Sequence, residues 1–123
     1  MMRRALATLT TITALCFGAG IAAAAFHVGT YGGYASDGGR VIFTTDTHTA
    51  HNFSWEGRHL FDNAQIEHLD GVTRFHTHTV RWQVHGHWID SNNVEGSMCA
   101  LDSSGSCPSA HLHHYTAGAK TSK

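Results

Sequence analysis

Residues 80–90 read Val80-Arg81-Trp82-Gln83-Val84-His85-Gly86-His87-Trp88-Ile89-Asp90. Trp82, Val84, Gly86 and Trp88 fall at every second position, with Arg81, Gln83, His85 and His87 between them. A period of two belongs to a β-strand, whose successive side chains point to opposite faces; a helix would repeat at three and four. The stretch is therefore a strand with a dry face holding both tryptophans and a wet face holding both histidines.

The neighbouring segments register against this strand. On its C-terminal side, a three-residue loop at Asp90-Ser91-Asn92, with Asn92 in the left-handed position, sets Trp88 opposite Val94, Gly86 opposite Gly96 and Val84 opposite Met98. A slip of one residue would set Trp88 against Asn93 or Glu95, so this pairing is well specified. On the N-terminal side, matching Phe75 to Trp82 sets Thr73 against Val84 and His76 against Arg81, with a loop around His78-Thr79.

Further strands follow outward. Phe26 to Ala35 is broken by glycines and ends at the turn Ser36-Asp37-Gly38-Gly39. Val41 to Thr45 is β-branched and aromatic, Asp46 to Ala50 reads as loop, and Asn52 to Trp55 as a short strand. Arg58 to Asn63 fits either a turn of helix or a bulged edge, and Ala64 to Leu69 is a strand closed by the hairpin pair Asp70-Gly71. Ala110 to Thr116 reads as a last strand, with 117 the last residue of the domain and a frayed tail after it, residues 118–123. About eight short strands with one proline and no convincing helix imply an all-β antiparallel meander, closed as a small sandwich or barrel.

Residues 1–25 stand apart. A basic start (Arg3, Arg4), an apolar run from Ala5 to Ala23 and the small residues Ala22 to Ala25 have the form of a signal peptide cleaved after Ala25. The threonines in the run argue against a retained membrane anchor, so no stable membrane insertion is expected after cleavage. Cys16 leaves with the leader, and Cys99 and Cys107 are left to form a disulfide across ALDSSGS in an exported domain. The remaining part carries nine acids against six Lys and Arg, a net of −3, and all twelve histidines. No basic patch with interleaved aromatics is present, which excludes nucleic acid as the expected partner.

The segments GTYGGYASDGGRVIFTTD, NFSW and VHGHWIDSNNVEGS, with a late cysteine before HYTA, resemble small exported β-domain proteins of actinobacteria. That group shares a Gly-Thr-Tyr start, a Gly-x-Trp strand and a final cysteine with an aromatic-Thr-Ala end. The resemblance covers most of residues 29 to 117. It implies fold and export, with no activity attached.

Chemistry-bearing residues gather on the wet face. His85 and His87 are two apart, about 6.6 Å between Cα atoms, so both imidazoles can reach one ion. Glu95 falls opposite His87 on one side, and the Phe75–Trp82 register places Asp70 opposite it on the other. Two imidazoles and two carboxylates make a ligand set for Zn, Cu or Ni, against the alternative of ordinary cross-strand pairs. In the same register His76 and His78 lie about four residues from His85, too far to share its ion, and His111, His113 and His114 form a separate cluster. No His-Glu-x-x-His, Gly-x-Ser-x-Gly or phosphate-cradling loop occurs. Arg74, Arg81, His76 and Glu95 supply the residue types of a small hydrolase without fixing a geometry. Tyr31, Tyr34 and Trp55 read as core aromatics rather than a ligand strip. The expectation is an exported, non-catalytic binding or cell-envelope module for an extracellular ligand; a divalent-metal binder is the second reading and a hydrolase the third.

Overall fold

Alternating side chains along successive strands, joined by tight turns, close the chain into a barrel. The computed structural model describes residues 26–120; the expected leader 1–25, with Cys16, and residues 121–123 lie outside the described residues. The strands are β1 (Gly29–Ala35), β2 (Arg40–Thr45), β3 (Thr49–Trp55), β4 (Arg58–Leu69), β5 (Val72–His78), β6 (Trp82–Asp90), β7 (Asn93–Ala100) and β8 (Leu112–Ala119). Each pairs antiparallel with the next, and β8 returns to β1, so the sheet has no open edge. Of the two closures the sequence allowed, the structure is the barrel.

Eight strands leave an interior just wide enough for side chains to fill. Tyr31, Phe43, Phe53, Phe75 and Met98 are fully buried there. Tyr31 and Phe43, directly opposite on β1 and β2, stack with centroids 5.1 Å apart, and Phe43–Phe53 and Phe53–Phe61 continue the column at 5.3 Å each. Phe75 meets Phe43 edge-on at 5.6 Å. Each such ring contributes about 2–3 kcal/mol by burial alone. Phe26, just ahead of β1, closes one end by packing on Trp88 at 4.6 Å. Trp55 and Trp82, edge to face at 5.9 Å, sit together at the other end. Outward positions such as Arg74, His85, His87 and Glu95 are exposed, an apolar-in and polar-out arrangement opposite to that of a membrane-spanning barrel. Among the described residues no helix is long and apolar enough to cross a membrane.

The expected dry face of β6 is correct: Val84, Gly86 and Trp88 are buried and Trp82 packs against the core. The β6–β7 pairing is also as expected, with Trp88↔Val94, Gly86↔Gly96 and Val84↔Met98. Its turn differs. A register shift after Trp88 brings Asp90 opposite Asn93, so Ser91-Asn92 form the loop, and Asn92 is not left-handed. Instead the Asp90 carboxylate accepts from the Asn92 amide at 2.8 Å and from the Asn93 side chain at 3.0 Å.

Larger corrections fall elsewhere. Phe75 pairs with Gly86, not Trp82, and His76 pairs with His85, not Arg81, a shift of four residues. The cause is a tight turn at Val80-Arg81, where the Thr79 hydroxyl accepts from the Trp82 amide at 2.9 Å. Residues 58–63 are neither helix nor edge but the first half of the 12-residue strand β4, in which a bulge sets both Leu60 and Phe61 inward. Thr49 and Ala50 belong to β3 rather than to a loop. Residues 118 and 119 are not tail: with Ala117, which is buried and paired to Gly33, they complete β8. Cys99 and Cys107 form the expected disulfide, with Cα atoms 5.9 Å apart.

Candidate functional site

The barrel interior holds side chains, so chemistry available to a ligand lies on the outer wall. Cross-strand pairing lines up one outward row there: Glu67 (β4), Arg74 (β5), His87 (β6), Glu95 (β7), Thr116 (β8) and Tyr34 (β1). Two residues along the strands, a second row runs His76, His85, Ser97, His114. Both rows exist because neighbouring strands are antiparallel and their side chains alternate in step.

Two hollows of about 440 Å³ each lie along the first row, one over β5–β6 and one over β7, β8 and β1. One is lined by Val72, Arg74, His76, His85 and His87 over Phe75 and Gly86. The other is lined by Tyr34, Ser36, Glu95, His114 and Thr116 over Gly96 and Tyr115. The floor of each contains one member of the Gly86–Gly96 pair. A Cβ on Gly86 would lie 2.5 Å from the Phe75 ring, and one on Gly96 would lie 2.0 Å from the His85 carbonyl oxygen. The missing side chains let the Phe75 and Tyr115 rings reach up beneath the backbone, where the Tyr115 hydroxyl donates to the His85 carbonyl at 2.9 Å. Complete burial raises the Tyr115 pKa, so that hydroxyl stays a donor.

Within the rows, the Arg74 guanidinium stands 3.7 Å from Glu67, and His87 Nε2 stands 4.0 Å from Glu95. Both pairs are half exposed, which limits each to a few tenths of a kcal/mol. The rings of His76 and His85 lie 6.0 Å apart and nearly parallel. Partial burial of His85, and then the proximity of His76, lowers its pKa, so its neutral form is favoured.

Of the expected metal set, His85, His87 and Glu95 share this wall and His87 does face Glu95. Asp70 does not join them. It sits at φ 53° in the β4–β5 turn, and Arg74, four residues further on, holds the place opposite His87. The separation expected between His76 and His85 is likewise corrected, since they are direct partners. Among the described residues no three His, Cys, Asp or Glu side chains converge as an ion site. Of the hydrolase types, Arg74, His76 and Glu95 lie on this wall, while Arg81 is in the β5–β6 turn at the rim. Tyr31 and Trp55 are core, as expected, but Tyr34 is 61% exposed.

A second polar cluster escaped the sequence reading. Asp46 accepts from the backbone amides of His48 and Thr49 at 2.7 and 2.8 Å, which builds the β2–β3 turn. His51 meets Asp46 through Nε2 at 2.7 Å and the Asn63 side-chain oxygen through Nδ1 at 2.6 Å. With an acceptor on each ring nitrogen the imidazolium is favoured: the hydrogen bond to Asp46, then that to Asn63, raises the His51 pKa. His51 holds Asp46 well below the usual carboxylate range. Thr49 also contacts His51 Nε2, at 2.7 Å.

The fold and site define a small up-and-down barrel with a filled aromatic core and a histidine-bearing outer wall. Comparison with protein-family models, with curated proteins and with solved structures gives no match to this chain.

Proposed function

We propose that this chain is an exported, non-catalytic binding module that holds a hydroxyl-rich polymer, a glycan of the cell envelope, against the outer wall of β5–β8 and β1. The observation that carries the reading is the continuous polar row from Arg74 to Tyr34, whose residues line two open hollows, on a barrel whose interior is full. Exposed Tyr34 offers an aromatic face to sugar C–H groups, while Glu95, Thr116, His114 and Arg74 offer donors and acceptors to hydroxyls. Cross-strand pairing holds these groups in register along a row that curves with the barrel wall, a track an extended ligand can follow. Export is supported by the leader-like residues 1–25 and by the disulfide, which persists in oxidising surroundings.

The test is titration of isotope-labelled protein with soluble peptidoglycan fragments in EDTA, followed by amide chemical shifts. Shifts centred on residues 34, 95, 114 and 116, and at least tenfold weaker binding by Tyr34→Ala, are expected. No shift at millimolar fragment, or shifts confined to the disulfide loop, would reject the reading.

A further inference from the structure

Besides the row that carries the glycan reading, the outer wall holds two imidazoles with a geometry of their own. His76 and His85 are Cα partners across β5 and β6, both point outward, and both are exposed. Their rings lie 6.0 Å apart, tilted by 26°. Among the described hydrogen bonds, neither ring is engaged by a carboxylate or a backbone carbonyl, unlike His51, His59 and His111, whose ring nitrogens are taken. Both strands are held in one register by pairs on either side, from Arg74↔His87 to His78↔Gln83, so the two Cα atoms cannot drift apart without breaking the ladder.

From this geometry we propose that His76 and His85 form a two-imidazole chelate for a late divalent transition ion, Cu²⁺ bound most tightly and Ni²⁺ and Zn²⁺ more weakly. A metal–nitrogen bond of about 2.0–2.1 Å puts each ring centroid roughly 3.2 Å from the ion, so centroids up to about 6.4 Å apart can share one. The observed separation of 6.0 Å lies within that reach, and rotation of the two near-parallel rings about their side-chain bonds turns one nitrogen lone pair of each toward the shared ion. The order of metals follows from imidazole ligation and the general stability series of divalent ions. His87 lies two residues from His85 on the same face, but faces Glu95 and Arg74. It is outside the chelate. Arg74 beside the hollow turns toward Glu67, which keeps a cation from facing the ion directly.

The inference does not depend on the glycan reading, because that test is run in EDTA and this one without sugar. The experiment titrates the intact protein with CuCl₂ and then NiCl₂ near pH 7, followed by calorimetry and by paramagnetic broadening of amide signals. Expected are a Cu²⁺ site that broadens residues 75–77 and 84–86 first, and a loss of at least tenfold in its affinity in each of His76→Asn and His85→Asn. His87→Asn should change the affinity by less than threefold. Nickel should bind the same residues more weakly. Unchanged affinity in His76→Asn, or first broadening at residues 111–114 instead, would overturn the assignment. Because both side chains are exposed, both variants should melt within a few degrees of the parent in metal-free buffer. A variant that does not is replaced by His76→Gln or His85→Gln, and unchanged Cu²⁺ affinity there overturns the assignment equally.

Discussion

Gly86 and Gly96 show how much single residues decide in this barrel. Their pairing lets β6 and β7 lie over the Phe75 and Tyr115 rings, and a methyl group at Gly96 would meet backbone, 2.0 Å from the His85 carbonyl oxygen. At Gly86 the obstacles are instead side-chain tips, the Phe75 ring at 2.5 Å and the Tyr115 hydroxyl at 2.6 Å, with no backbone atom among them. Gly96→Ala should therefore cost about 3 kcal/mol or more and Gly86→Ala about 1–2 kcal/mol, at the upper and lower parts of the overpacking range. Urea unfolding of the two variants measures this, and equal losses would show that the backbone contact is not tight. His51 makes a prediction of a different kind. Its pKa is raised in the fold, so its contribution is present below about pH 6.5 and is lost as pH rises through the folded value. Asp46 is lowered, so its contribution is present above about pH 4 and is lost as pH falls through its folded value. Both act together only between those limits. The stability difference between the parent and His51→Gln should accordingly be largest near pH 5–6 and shrink toward pH 8.5, a small effect because both groups are exposed. Thermal midpoints across that range check it, and a flat difference would remove the ion pair from the account.

At the scale of elements, the β5–β6 and β6–β7 hairpins separate what the sequence reveals from what it hides. In β6–β7 a slip by one residue turns tryptophan against asparagine or glutamate, so the apolar pattern alone selects the register. In β5–β6 the expected and observed registers differ by four residues, an even number, and every side chain keeps its face in both. Nothing in the alternation can tell them apart. The turn that decides, Val80-Arg81, has no glycine, asparagine or aspartate at its centre, and its signal is a single threonine hydroxyl accepting from the backbone amides of Trp82 and Arg81 at 2.9 and 3.3 Å. For that reason Asp70 entered the expected ion site and His76 did not, while His85, His87 and Glu95 were placed correctly by the well-specified hairpin. The Asp46–His51–Asn63 cluster was hidden for a related reason, since it depends on the β3–β4 pairing His51↔Asn63 in a segment whose strands the composition leaves ambiguous. If Thr79 fixes the β5–β6 turn, Thr79→Val should lose about 1 kcal/mol, the net worth of such a hydrogen bond, and should disturb amide shifts in both strands. The disulfide loop is a second element with a definite expectation. It joins the buried Cys99 of β7 to Cys107 outside the sheet, eight residues on. Closing so short a loop contributes about 2–3 kcal/mol in the chain-entropy model, so Cys107→Ser and the reduced parent should unfold at matching, lower urea concentrations. A parent insensitive to reductant would contradict this.

For the molecule as a whole, closure is the property on which both wall rows depend. An open eight-strand sheet would leave β1 and β8 with unpaired backbone groups; here Tyr31 to Ala35 pair with Ala119 to Tyr115 and remove both edges. Small residues make the seam possible. Gly32 faces Gly118 and Gly33 faces Ala117, and a Cβ on Gly33 would lie 1.9 Å from the Thr116 carbonyl oxygen. The last three residues of β8 also bring Ala117 into the core and Gly118 beside Asn93, so they hold the last strand to β1 and β7 at once. A chain ended at Thr116 would keep the aromatic column but lose this part of the seam, exposing the backbone of β1 and the β7 residues Asn93 and Val94. Such edges pair with other copies. The expected result is a protein that elutes from size-exclusion chromatography as dimers and larger species and melts at least 10 °C lower. Gly33→Val in the full-length chain should give the same behaviour, because it obstructs the same seam without shortening the strand. A monomeric truncated chain with an unchanged midpoint would mean that the barrel is held by its core alone, and that the outer rows do not need the seam to stay in line.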